Sequence, residues 1–291
     1  MSQRFPIPKL PSRPADGHKG LFGRVLIVGG NDEMPGAPIL AGRAALRTGS
    51  GLVQVAMPRA ILAPGLSACP ELIGLALDGS KSDRALIASA EKSDCIAIGP
   101  GLGTSTDARR RLLRLIALEK PIVIDADALN LLASEKVWPK KFNAHAILTP
   151  HPGEMKRLSK FLGVDSVPTD DTGRIELASR ASKKFEQVVV LKGARTVVAD
   201  FDGSIFVNQT GDSSLSKAGT GDVLTGIIAS LIGQGMTLFD AVCLGTHLHG
   251  LAGELAGKKI GQRSVLAWDV IDAIPDALKS IEGSKTIRSP K

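Results

Sequence analysis

The 291-residue chain has no tyrosine, 2 tryptophans and 3 cysteines, and it contains no apolar run near the ~18 residues that a membrane-spanning helix needs. The sparse, odd set of thiols (Cys69, Cys95 and Cys243) shows no CxxC or Cys/His spacing that would frame a metal site. Cys95 and Cys243 lie in apolar runs, where a cysteine behaves as a small core residue. The N-terminal stretch MSQRFPIPKLPSRPADGHKG is too polar and proline-rich for a secretory signal, so the expected compartment is reducing and cytoplasmic. Also missing are a GxxxxGK[ST] phosphate loop and a GxGxxG fingerprint after the first strand, which disfavours P-loop and dinucleotide-binding Rossmann enzymes.

The chain is 43% apolar and 22% charged, as in ordinary globular proteins. It departs from them in having 32 glycines and a net charge of +7. The charge is a property of the ends: residues 1–24 contribute +4 and residues 279–291 contribute +3, leaving the body neutral. Basic ends with only Phe5 and Phe22 for stacking make a poor nucleic-acid surface. Neither a nucleic acid nor a membrane is an expected partner.

Short apolar runs at Val25–Val28, Leu52–Ala56, Cys95–Ile98, Ile122–Ile124, Ala146–Leu148 and Val188–Leu191 alternate with helical patterns such as Pro38–Arg47 and Ala108–Leu118. Runs that are apolar at consecutive positions fit strands covered on both faces, and the alternation predicts a mostly parallel α/β sheet. Residues 196–208 read as a β-hairpin with Asp202-Gly203 in its turn. Two apolar-striped helices follow, over Val223–Ile232 and Ala241–Leu255. The expected organisation is a basic, proline-rich lead over 1–22, one domain over 23–278 and a flexible basic tail over 279–291.

Several glycine-rich segments fall at predicted strand ends, where ligands bind in open parallel sheets. The strongest is Ala218-Gly219-Thr220-Gly221-Asp222 at the start of a helix, where backbone N–H groups and the helix dipole favour an anion. A carboxylate there suits proton removal from a hydroxyl that attacks a phosphoryl group, although Asp222 could also serve as a plain helix cap. Gly99-Pro100-Gly101-Leu102-Gly103 and Gly29-Gly30-Asn31 end two other strands. In Thr149-Pro150-His151-Pro152-Gly153-Glu154 two prolines stiffen the backbone around His151, either as a ligand contact or as a rigid turn. Lys192-Gly193-Ala194-Arg195-Thr196 gathers two cations and a hydroxyl that suit a phosphate or adenine nucleotide, or a solvated turn. Asp125, Asp127 and Asn130 could orient a substrate or water around a metal, with a helix cap the equal alternative for Asp127. His247 and His249 project about 200° apart on a helix and cannot chelate together; both are expected to be packing or surface residues.

Taken in order, GRVLIVGG with GAPILAGRAALRTGSGLV, IGPGLG, VIDADALNLLA, ILTPHPGEMKRL, VVLKGARTVVA and KAGTGDVLTGIIASLIGQG resemble the blocks of the NAD(P)H-hydrate dehydratase family of the ribokinase-like superfamily. The resemblance runs from about Gly23 to Leu278. It implies an α/β/α sandwich in which Ala37, Gly103, His151 and Asp222 contact hydrated NADH or NADPH. Lys192, Gly193, Ala194, Arg195, Thr196 and Gly221 would contact ADP or ATP. By the same resemblance Asp222 is the catalytic base, Mg²⁺ accompanies the nucleotide, and the assembly is a homo-oligomer, a tetramer. The implied reaction phosphorylates the hydrate and eliminates phosphate. The competing reading is a ribokinase-like kinase for a small alcohol such as a thiazole or pyrimidine precursor.

Overall fold

A strand that is apolar at every position must be covered on both faces, and the central sheet meets that demand in alternate residues. The computed structural model describes residues 6–139 and 142–283. Its elements run β1 (Arg24–Val28), α1 (Ala37–Thr48), β2 (Leu52–Pro58), α2 (Arg59–Ala68), β3 (Ile73–Leu77), α3 (Asp83–Glu91), β4 (Cys95–Ile98), α4 (Thr106–Leu115), β5 (Pro121–Ile124) and α5 (Ala126–Ser134). They continue with β6 (His145–Leu148), α6 (Pro152–Leu158), α7 (Asp171–Phe185), β7 (Val188–Leu191), β8 (Val197–Ala199), β9 (Ile205–Val207), α8 (Thr220–Gly233), α9 (Leu238–Ile260) and α10 (Ala267–Gly283).

The strands form one sheet in the order β3-β2-β1-β4-β5-β6-β7-β8-β9. All pairings from β3 to β7 are parallel, and β7-β8-β9 are antiparallel. Val25 and Ile27 of β1 point into one core with α1, α2, α8, α9 and α10; Leu26 and Val28 point into the other with α3 to α7. The same division repeats at Cys95 and Ala97 against Ile96 and Ile98, and at Val188 and Val190 against Val189 and Leu191. The result is the expected three-layer sandwich, with the antiparallel hairpin at β8-β9.

The sequence reading missed β3, at the sheet edge. Its apolar residues are interrupted by Gly74, and only Leu77 of the strand is buried. At the other end, α10 continues through Gly283, so residues 279–283 of the expected flexible tail are helical; 284–291 lie outside the described residues. No helix among the described residues is long and apolar enough to cross a membrane.

Candidate active site

Backbone hydrogen bonds carry the sheet's order past the strand ends into the loops. Gly30 N–H donates to Pro100 O (2.9 Å), Asp125 N–H to Ile98 O (3.0 Å), Thr149 N–H to Ile124 O (3.1 Å) and Lys192 N–H to Pro150 O (2.9 Å). The glycine-rich segments therefore lie side by side along one rim. The approach is close enough that a Cβ on Gly99, whose φ is +130°, would overlap the carbonyl of Asp125.

At the centre, α8 starts from Gly219, whose φ of +90° favours glycine. Asp222 is the third residue of α8 and makes no side-chain capping bond, which removes the plain helix-cap reading. Burial raises its carboxyl to about 7, with Asp125 pushing the same way and Lys192 opposing. Beside it lies a buried hub. Asp125, the residue before α5, accepts from Lys192 Nζ at 2.6 Å, Thr149 Oγ1 at 2.8 Å and Thr225 Oγ1 at 2.8 Å. Burial works against its charge, but Lys192 and the hydroxyls outweigh that and hold the carboxyl below its ordinary value. The reciprocal balance keeps Lys192 charged: burial pulls the ammonium down, and Asp125 and Glu154 more than restore it. Its Nζ lies 3.6 Å from where a Cβ on Gly221 would stand, so the cation sits in the anion loop.

His151 is itself the cap of α6. Its Nδ1 accepts from Gly153 N–H (2.9 Å) and Glu154 N–H (3.4 Å), while its own N–H donates to Glu154 Oε2 (2.8 Å). That reciprocal box fixes the ring, and burial together with Lys192 and Arg157 keeps it neutral. Glu154 is buried, which raises its carboxyl to about 7 against the pull of Lys192.

Ala37 opens α1 and lies against Gly101, whose Cβ would meet the Ala37 Cβ at 3.2 Å. Gly103 N–H donates to Asp127 Oδ2 at 2.8 Å, so Asp127 holds the second glycine loop and is not the cap of α5. Asn130 donates to Asp127 at 3.3 Å and accepts from Arg157 at 3.1 Å. Asp127, bound by Gly103 N–H, and Glu154, bound by His151 N–H, both act on the charge of Asp222.

A cavity of about 460 Å³ adjoins it, lined by every residue from Lys192 to Thr196 together with Gly221. The lining also includes Thr210, in the Ser/Thr-rich approach to the loop before α8, and Asn208, Thr246 and His249, which the motifs did not mark. Asn208 Nδ2 ties the hairpin exit to α9 by donating to Thr246 O at 3.1 Å. His249 is buried and lines the cavity, so it is neither a surface residue nor plain packing, and burial drives its imidazole down to about 4. The signal for these residues is tertiary, because the hairpin and α9 meet only in the fold.

No group of three or more His, Cys, Asp or Glu among the described residues is arranged to hold a metal. Magnesium seldom needs one, since one or two carboxylates and substrate phosphates suffice.

Comparison with known proteins brings in sequence and fold. The profile of the family described as NAD(P)H-hydrate dehydratase matches residues 25–276. The bifunctional NAD(P)H-hydrate repair enzyme of Moorella thermoacetica is 42% identical over 284 residues, covering 94% of this chain and 52% of that protein. The chain thus spans about half the length of the bifunctional relatives it matches. The ADP-dependent (S)-NAD(P)H-hydrate dehydratase of Bacillus subtilis is 34% identical over 276 residues, covering 94% and 95% of the two chains. A crystal structure of the Bacillus subtilis ADP/ATP-dependent NAD(P)H-hydrate dehydratase, co-crystallized with ATP/Mg²⁺, superposes with a TM-score of 0.81 at 32% identity, covering 94% of this chain and 95% of that one.

Proposed function

The chain belongs to the NAD(P)H-hydrate dehydratase family, and from that premise we propose that it restores NADH or NADPH from the hydrated forms at the expense of ADP or ATP. The observation that supports this most is Asp222. It is the third residue of α8, makes no side-chain capping bond, is raised to about 7, and directly follows Gly221, which lines a cavity of nucleotide size together with Lys192.

In this reading the hydrated nicotinamide lies against Ala37, Gly103 and His151, and the nucleotide fills the cavity along Lys192 to Thr196 and Gly221. Asp222 takes the proton from the hydrate's hydroxyl as its oxygen bonds to the terminal phosphorus, and the bond from that phosphorus to the rest of the nucleotide breaks. Lys192, held by Asp125, sits where it offsets the charge that moves onto the leaving phosphate. The phosphate then departs with the electrons of the C–O bond, the neighbouring ring carbon gives up a proton, and the double bond is restored. A Mg²⁺ ion carried by the nucleotide would supply charge neutralisation for the phosphates. The neutral His151 ring, already committed at Nδ1, orients the substrate rather than moving a proton.

Residues 23–278 form the catalytic domain in this proposal. Its three buried, unpaired thiols favour a reducing compartment such as the cytoplasm. A homo-oligomer, a tetramer by family resemblance, completes the reading. The test is incubation with NADPH hydrate, Mg²⁺ and either ADP or ATP. The expected outcome is recovery of reduced-nicotinamide absorbance with release of free phosphate. A stable phosphorylated alcohol, or no recovery with either nucleotide, would overturn it.

A further inference from the structure

A buried guanidinium without an acidic partner is costly unless its donors are all used. Arg174 of α7 is such a group: it is 7% exposed, and no carboxylate among the described residues forms an ion pair with it. Asp171, one turn earlier, pairs instead with Arg195 at 2.9 Å. Arg174 spends its donors on one short segment. One terminal nitrogen donates to Ala194 O (2.6 Å) and Arg195 O (3.3 Å), the other to Leu191 O (3.1 Å) and Lys192 O (3.4 Å). The remaining carbonyl, that of Gly193, accepts from Thr196 Oγ1 at 3.0 Å. Five consecutive carbonyls, from Leu191 to Arg195, are thus satisfied within the protein.

The consequence lies on the other side of the peptide planes. In a trans peptide the N–H of the next residue points opposite to the carbonyl, and there are no cis bonds here. The carbonyls gathered on Arg174 therefore turn the N–H groups of Lys192, Gly193, Arg195 and Thr196 away from it. The first of these is used by Pro150 O. The other three lie in the segment that lines the cavity, of which Arg174 itself is not a wall. The loop holds this shape through left-handed backbone at Gly193 (φ +144°) and Arg195 (φ +57°), a conformation that needs outside support at a non-glycine residue.

We infer that Arg174 is a positioning residue for the nucleotide: it draws the loop's carbonyls out of the site, so that the N–H groups of Gly193, Arg195 and Thr196 are presented to an anionic phosphate chain. This rests on the nucleotide reading of the cavity given above. Successive N–H groups without intervening carbonyls form an anion-binding concavity, and only a planar fork with several donors can gather this many carbonyls at once. A lysine supplies the charge without the fork.

The test compares the wild type with Arg174→Lys and with Arg174→Ala, each checked for native circular dichroism. Calorimetric binding of ADP and of adenosine is measured alongside turnover of NADPH hydrate. Arg174→Lys weakens ADP binding by about ten- to a hundredfold, weakens adenosine binding less, and leaves the KM for the hydrate at its wild-type value. A general loss of structure would lower turnover and diminish ADP and adenosine binding alike. Free guanidinium ion added to Arg174→Ala recovers ADP affinity, which keeps the question open to measurement if Arg174→Lys does not fold. Wild-type ADP affinity in Arg174→Lys, equal losses for ADP and adenosine, or no recovery with guanidinium would overturn the inference. If the wild type itself bound neither ADP nor ATP, the nucleotide reading would fall first, a result distinguishable from the failure of Arg174 alone.

Discussion

Burial raises the Asp222 carboxyl to about 7, with Asp125 and Glu154 adding to the effect and Lys192 moderating it. A carboxylate of that basicity removes an alcohol proton more readily than one near its usual value of about 3.9. The same burial makes the charged form a burden on the folded state. Replacement by the isosteric neutral amide therefore separates the two effects. Asp222→Asn is expected to lose activity by about a hundredfold or more while gaining about 1–3 kcal/mol of stability at pH 8. Wild-type kcat/KM for the hydrate should rise with pH through a transition near 7, as Asp222 loses its proton. Steady-state assays between pH 5.5 and 9, with urea denaturation of the variant at pH 8, check both. Full activity in Asp222→Asn would remove it as the base.

At the scale of elements, the start of α8 depends on one backbone conformation. Gly219 has a φ of +90°, and a Cβ there would stand 2.8 Å from Leu40 Cδ1 of α1 and 3.1 Å from Ala267 Cβ of α10. Gly219→Ala is expected to cost about 1–2 kcal/mol for the left-handed conformation and to weaken ADP binding, because the helix start moves with it. Thermal denaturation and calorimetry on one preparation would show both; an unchanged Kd would mean that the N-terminus of α8 does not touch the nucleotide. This glycine was readable in the sequence, as were β1, β4 and β7, since buried parallel strands and glycine-rich loops leave local patterns. The edge strand β3 was not, because Gly74 breaks its short apolar run. For the site, the sequence placed Asp222 at a helix start and His151 and the 192–196 loop at strand ends, but it could not show that His151 caps α6 or that His249 faces the cavity. It gave no sign of Arg174, whose partners are all carbonyls. Those facts depend on contacts between elements distant in the chain.

Across the whole molecule, the ionisable groups of the site set stability against activity. Asp222 and Glu154 are both raised to about 7, so between their unfolded values and 7 the folded protein holds protons that the unfolded chain releases. Stability from these groups is therefore lost as pH rises through 7 and regained as pH falls. His249 acts in the opposite sense: lowered to about 4, it stays neutral in the fold while the unfolded chain takes up a proton below about 6.5. His151 and His247 are lowered as well and oppose in the same direction. Two carboxyls titrating near 7 outweigh one imidazole between pH 8 and 6.5; below that the histidines flatten the rise. The net charge of +7 grows on acidification, but it sits at the two ends of the chain, so its repulsion falls little on the site. At lower pH still, Asp125 and Asp83, held below their ordinary values in the fold, lose their ion pairs with Lys192 and with Arg110 and Arg111, and acid unfolding sets in. The nucleotide-free protein is thus expected to gain about 1–2 kcal/mol from pH 8 to pH 6, over the interval in which its turnover falls. Urea denaturation midpoints at half-unit pH steps, read beside the pH–rate profile, would register the opposed slopes; stability that rises from pH 6 to 8 would show that Asp222 and Glu154 do not share the raised protonation on which the catalytic reading depends.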